Sequence, residues 1–230
     1  MKIPGFEMDN RKIAFLLIFS ALSLLLYQFN FSQIVGAVIE PQPYFTYFQF
    51  IGPMAGAILG PVAGVISVLL VAASNFLLTG KALSLPVIVS AITMSIAAIY
   101  FGTKKRAVIA VPLLCMPLFW LHPEGMQAWF YALFWLIPLA ASFYKGNILL
   151  RSLGATFSAH AVGSVAYLYA FNIPAIEWTA LMFITPVERL LFAAGITVFY
   201  YAVNTMLCAF SSKVDFSFLN IEEKYALWRA

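Results

Sequence analysis

The sequence predicts an all-α polytopic membrane protein, a bundle of six to eight transmembrane helices with both termini cytoplasmic. Three observations carry this. Only 10% of the 230 residues are charged, against 63% hydrophobic, and the mean hydropathy is +0.93. A soluble domain carries about 25% charged residues, so this chain cannot clothe a surface for water. Uncharged runs recur from Ile13 to Ser212, and the cations gather in the short gaps between them. Its 22 Phe, 11 Tyr and 5 Trp exceed what one aqueous core of this length can hold, which excludes a disordered chain as well as a soluble one.

A span needs about 20 apolar residues. The runs divide into segments 13–31, 45–60, 62–79, 84–102, 107–121, 126–144, 149–172 and 189–210. The stretch Pro43–Gly80 is too long for one helix, and Pro61 breaks it by removing a backbone donor and clashing with the preceding turn. Segments 45–60 and 107–121 are short, so each either crosses among neighbours or re-enters the same face. The head, Met1 to Lys12, holds Arg11-Lys12 but also Glu7 and Asp9, and no A-x-A site follows. It reads as a retained anchor rather than a signal peptide. Residues 1–212 form one transmembrane domain, and 213–230 a short cytoplasmic amphipathic tail, expected as a helix lying on the membrane.

Placing the N-terminus inside puts Arg11-Lys12, Lys104-Lys105-Arg106, Lys145, Lys213, Lys224 and Arg229 on the cytoplasmic side, with Arg151 one turn within it. Glu40, Lys81, His122, Glu124, Glu177, Glu188 and Arg189 fall outside. Two of 13 cations outside satisfies the positive-inside rule and supports an even number of crossings, six or eight. The +4 net charge is therefore topological, and with no basic face there is no nucleic-acid partner. Cys115 and Cys208 lie inside apolar segments without a CxxC partner and read as buried small hydrophobes.

Three patterns stand out. In GPMAGAILGPVAG, Gly52, Gly56, Gly60 and Gly64 recur every four residues. Small residues let helix backbones approach in lipid, so this ladder is either an internal packing face or a docking surface for a partner. In NILLRSLGATFSAHAVGSVAYLY, Ser152, Thr156, His160 and Ser164 repeat at four, followed by Tyr167, drawing one polar stripe on a helix. His160 falls near the middle of the span; an ionisable group at that depth is satisfied by a neighbour, touches a ligand, or relays protons. Third, AIEWTALMFITPVERL carries Pro186 before Glu188-Arg189. The last helix is expected to start there, with Glu188 at the positive end of its dipole. Glu177-Trp178 and Glu188-Arg189 then form either a lid over an outward pocket or interfacial anchors. Asn75 and Asn204 add amides within spans, as interhelical hydrogen bonds or, for Asn75, a ligand contact.

Catalytic signatures are missing: no HExxH, GxSxG or GxxxxGK[ST] occurs, and Asp9 and Asp215 stand outside the spans. Ser158 and His160, two apart on a helix, do not face each other. The chain is expected not to be an enzyme, with no cofactor and no metal site.

The run FQFIGPMAGAILGPVAGVISVLLV resembles the early glycine-rich helices of substrate-capture (S) components of energy-coupling factor (ECF) transporters. The stretches GATFSAHAVGSVAYLY and ERLLFAAGITVFYYAVNTML are similar to that group's closing helices. The resemblance covers roughly 45–80 and 147–210. It implies a membrane-embedded subunit that binds a small vitamin-like or metal-related solute from outside. It also implies a transmembrane coupling protein and two ATPases as partners, besides the membrane lipid. The candidate solute contacts are Thr156, His160, Ser164 and Tyr167 by hydrogen bonds, Trp178 by stacking, Glu188 or Arg189 by charge, and Asn75. The family often docks its coupling protein on an A-x-x-x-A stripe of the first helix; IAFLLIFSALSLLLYQF has no such pair. Docking would then fall to Ser20, Ser23 or the Gly52–Gly64 ladder. A stand-alone secondary permease and a non-transporting membrane scaffold are the alternatives.

Overall fold

The computed structural model describes residues 8–30, 45–80 and 82–227. Glu40, Lys81 and Arg229, assigned to sides from the sequence, lie outside the described residues. The elements run α1 (Asn10–Tyr27), α2 (Phe48–Leu59), α3 (Pro61–Thr79), α4 (Leu85–Gly102), α5 (Ala110–Leu121), α6 (Pro123–Gln127), α7 (Leu136–Ser142), α8 (Ile148–Phe171) and α9 (Ala175–Phe210). Short 3-10 turns cover Arg106–Ile109, Trp129–Trp135 and Glu223–Tyr225. Among the described residues there is no β-strand, only an isolated bridge between Asn30 and Thr46.

Helices α1, α3, α4 and α9 are each long and apolar enough to cross a membrane. Their outer faces stay greasy: Ile18 is 61% exposed, Leu77 76% and Phe183 85%. A soluble monomer does not present so much apolar surface, so these faces suit lipid. This is an all-α membrane protein.

The chain runs up and down between two ends. At one end Arg11, opening α1, meets Asp215 beyond α9 at 2.5 Å, and the Lys145 ammonium donates to the Thr103 carbonyl after α4 at 2.9 Å. Burial and the nearby Arg151 pull Lys145 down to about 8. Lys104, Lys105 and Arg106 lie beside it, making this the basic end. At the far end Gln28 of α1 donates to Asn75 of α3, Tyr169 of α8 donates to Leu118 of α5, and Glu124 accepts the Ala175 amide that opens α9.

The expected break at Pro61 is present. Gly60 has φ +91°, a conformation L side chains rarely adopt, and reverses the chain between α2 and α3. Helix α2 is apolar all round because it is surrounded: Met54, Ala55, Ile58 and Leu59 are at most 1% exposed. Its glycines explain how. A methyl group at Gly56 would overlap the Ala98 carbonyl of α4, one at Gly102 would overlap Gly56, and one at Gly64 would overlap the Gly56 backbone from α3. Gly52 instead faces the Met94 side chain of α4. The ladder is thus an internal three-helix crossing. Helix α2 is enclosed by its neighbours, and Ser20 and Ser23 are buried too, the former bonded to Ser67.

Three expectations are corrected. The span 126–144 is not one helix but α6, a 3-10 turn and α7. The Trp120 indole donates to the Trp129 carbonyl at 2.8 Å, where the 3-10 turn starts. The last helix does not start at Pro186: α9 is continuous over 36 residues with Pro186 inside it. At about 1.5 Å per residue it exceeds the roughly 30 Å hydrocarbon layer, so it is inclined or emerges. Glu177, not Glu188, occupies its first turn. Finally, residues 213–227 contain no α-helix; the tail folds back onto the basic end, where the bundle offers it buried polar partners.

Candidate functional site

Helix α8 positions most of the site. Asn147 caps its start by accepting the Leu150 amide at 3.1 Å, and Asn172, at φ 47°, ends it. Because α8 packs against α4, α5, α7 and α9, its polar stripe has to find partners inside the protein. The lower half does so at once. Ser152 meets Thr197 of α9 at 3.1 Å, and Thr156 donates to the Leu153 carbonyl of its own helix.

The upper half opens on a cavity of about 500 Å³ in the half of the bundle away from the basic end. His160, Ser164 and Tyr167 line it from α8, and Trp178, Glu188 and Arg189 from α9. Six residues singled out from sequence therefore converge. Two do not. Thr156 is buried behind the wall, and Asn75 holds Gln28 across a separate, more polar cavity of about 410 Å³ between α1, α3 and α4. The expected lid of Glu177 to Arg189 is not a loop: it is the first half of α9, and it supplies a wall.

Sequence reasoning missed Tyr131, Trp135 and Thr185, which organise the site. The Trp135 indole donates to His160 Nδ1 at 3.3 Å. An indole N–H can only donate, so Nδ1 is an acceptor and the imidazole proton is on Nε2. Nε2 faces the Tyr131 hydroxyl at 3.0 Å and Ser164 Oγ at 3.4 Å, and Tyr131 meets Thr185 Oγ1 at 2.9 Å. This directional chain runs from α7's approach through α8 to α9. It occupies both nitrogens of His160, which thereby orients Tyr131 and Thr185 rather than serving as a free base. The signal was the run WFYALFW, whose Tyr131 and Trp135 are fully buried. Nitrogen-15 spectra of histidine-labelled protein are expected to give the neutral Nε2–H tautomer for His160, and Trp135→Phe to change that signal. An imidazolium pattern at pH 7 would overturn the chain.

Glu188 and Arg189 pair with each other although they are consecutive on α9, with side chains only 13% and 11% exposed. The Arg189 guanidinium lies 4.6 Å from the Phe192 ring centroid and 5.8 Å from that of Phe45, while its Nε has no hydrogen-bond partner. With Tyr131 and Trp178 5.0 Å apart between centroids, the cavity has aromatic walls and one ion pair. Among the described residues no three His, Cys, Asp or Glu converge on a point that would hold a metal. The cavity is mostly apolar with a few convergent polar groups, the composition that small-molecule pockets share in general.

Compared with protein-family models, curated proteins and solved structures, the chain matches none.

Proposed function

We propose that this chain is the membrane-embedded solute-binding subunit of an ECF-type uptake transporter for a small vitamin-like solute. In this reading it sits in the plasma membrane with both termini cytoplasmic, the basic end inside and the cavity in the outer half. A coupling protein and two ATPases would supply the work, since the chain carries no ATPase motif of its own. The observation that carries the reading is the 500 Å³ cavity on which His160, Ser164, Tyr167, Trp178, Glu188 and Arg189 converge. The Trp135 bond to His160 counts against the stand-alone permease that would use this imidazole as a proton carrier.

The test is native mass spectrometry of the gently solubilised protein from its own membrane. The expected result is a bound small molecule together with a transmembrane subunit and two ATPases. A protein recovered alone and empty, with no solute uptake lost on deleting it, would sink the reading. A stable membrane partner without a small molecule would favour the scaffold.

A further inference from the structure

We propose that the solute this cavity takes is a zwitterion on an aromatic body, a small molecule with one carboxylate, one ammonium and no net charge. This rests on the solute-binding reading above. Among the described residues, two charged side chains line the cavity, Glu188 and Arg189, and they are of opposite sign. The imidazole of His160, which also lines the cavity, is held in a neutral tautomer by Trp135. A solute with a single charge would therefore leave that charge uncompensated in a medium of low dielectric, which is costly. A zwitterion adds no net charge and extends the existing pair into an alternating array.

The two ends of such a molecule have waiting partners. Arg189 is 9% exposed and its Nε–H is unpartnered, with Glu188 engaged at the Nη2 side. Nε is closed over, so a small turn of the Arg189 side chain brings it to an entering carboxylate, which gains a charge-assisted hydrogen bond there. Glu188 is bonded through Oε2, so Oε1 is available to an ammonium. Both groups sit on one turn of α9, which suits charges a few ångströms apart in the ligand, as on one or two adjacent carbons. The body of the molecule would lie against Trp178, Tyr131 and Phe192, which offer ring faces and edges but no further charge. A buried ion pair is poor stabilisation compared with apolar packing; a pair kept at this depth and left half-satisfied is explained by a ligand that completes it.

The experiment titrates the full chain in lipid nanodiscs with three probes of one skeleton: phenylalanine, 3-phenylpropionate and phenethylamine. Phenylalanine is expected to bind at least tenfold more tightly than either single ion. Glu188→Gln should reverse the order in favour of 3-phenylpropionate, and Arg189→Gln in favour of phenethylamine, because each variant leaves one uncompensated charge. Equal binding of phenylalanine and either single ion overturns the proposal, as does failure of all three to bind. Should a variant not fold, the three-probe comparison on the unmodified protein decides alone. If the probes fail while native mass spectrometry still finds a singly charged solute with the transport partners, the zwitterion falls and the subunit reading stands. If no solute and no partners are found, both fall.

Discussion

Gly56→Ala is expected to destabilise the protein by about 3 kcal/mol, at the upper end of what overpacking costs. The added methyl group would enter the Ala98 carbonyl, and the neighbours on the other sides are the backbones of Gly64 and Gly102. A flexible side chain could swing aside, but here only whole helices could move. Separating α2 from α4 and α3 would also loosen the core around Met54, Ile58 and Phe101, which are all but fully buried. The measurement is thermal unfolding in detergent, followed by tryptophan fluorescence. Gly146→Ala is the control, since a methyl group there meets nothing within 4 Å. A Gly56→Ala protein melting with the control would show that the crossing is looser than its geometry implies.

The second large effect is at the basic end. Arg151 donates through Nη1 to Glu222 at 2.8 Å and through Nε to the Phe101 carbonyl at 2.5 Å, with its guanidinium over the Phe101 ring. Glu222 also accepts from Tyr200, and its backbone exchanges two hydrogen bonds with the Asn204 amide. This clip, with Asn220 on the Ile58 carbonyl and Tyr225 on that of Gly146, holds the tail against the bundle. Arg151→Met leaves the Glu222 carboxylate with only the Tyr200 hydroxyl and the exposed Lys224 ammonium as side-chain partners, a loss of about 2 kcal/mol, below the cost of a buried pair broken with nothing left beside the charge. Hydrogen exchange should rise across 216–227, and adding Glu222→Gln should restore part of the loss. Unchanged protection in Arg151→Met would remove the clip.

The same clip predicts a pH dependence. Burial pushes the Glu222 carboxyl upward, but the hydrogen bond and charge of Arg151, with Tyr200, outweigh it and hold the group below its ordinary value. A depressed carboxyl contributes its stability fully above the unfolded value of about 4.3. That contribution is lost as pH falls through the folded value. The melting temperature of the unmodified protein should therefore drop more steeply below about pH 4 than that of Glu222→Gln. The exposed partner pair behaves separately: Ser217 and Arg11 hold Asp215 down to about 2, but a pair in water contributes little.

Composition determined the solvent, and with it the class. A chain with one charge in ten residues has to put its apolar surface into lipid, and its helices then follow from the need to satisfy every backbone group internally. The Pro61 break and the polar stripe on α8 were also legible, because proline geometry and the 3.6-residue repeat act within one segment. So was the gathering of His160, Ser164, Tyr167, Trp178, Glu188 and Arg189 into one candidate list, though not their convergence in space.

What the tertiary structure decided concerns contacts between segments distant in sequence. Whether a glycine ladder faces inward or outward depends on what packs beside it, and Ala98 and Gly102 lie some forty residues further on. Pro186 looked like a helix start because local rules put proline at the first turn; packing on α8 and α2 carries α9 straight through it. The role of His160 was open for the same reason. A histidine's tautomer is set by what its ring nitrogens meet, and Trp135 and Tyr131 arrive from another element. The tail read as a surface helix from its alternation of aromatic and charged residues, yet buried Arg151 and Asn204 gave its Glu222 better partners than the membrane surface could.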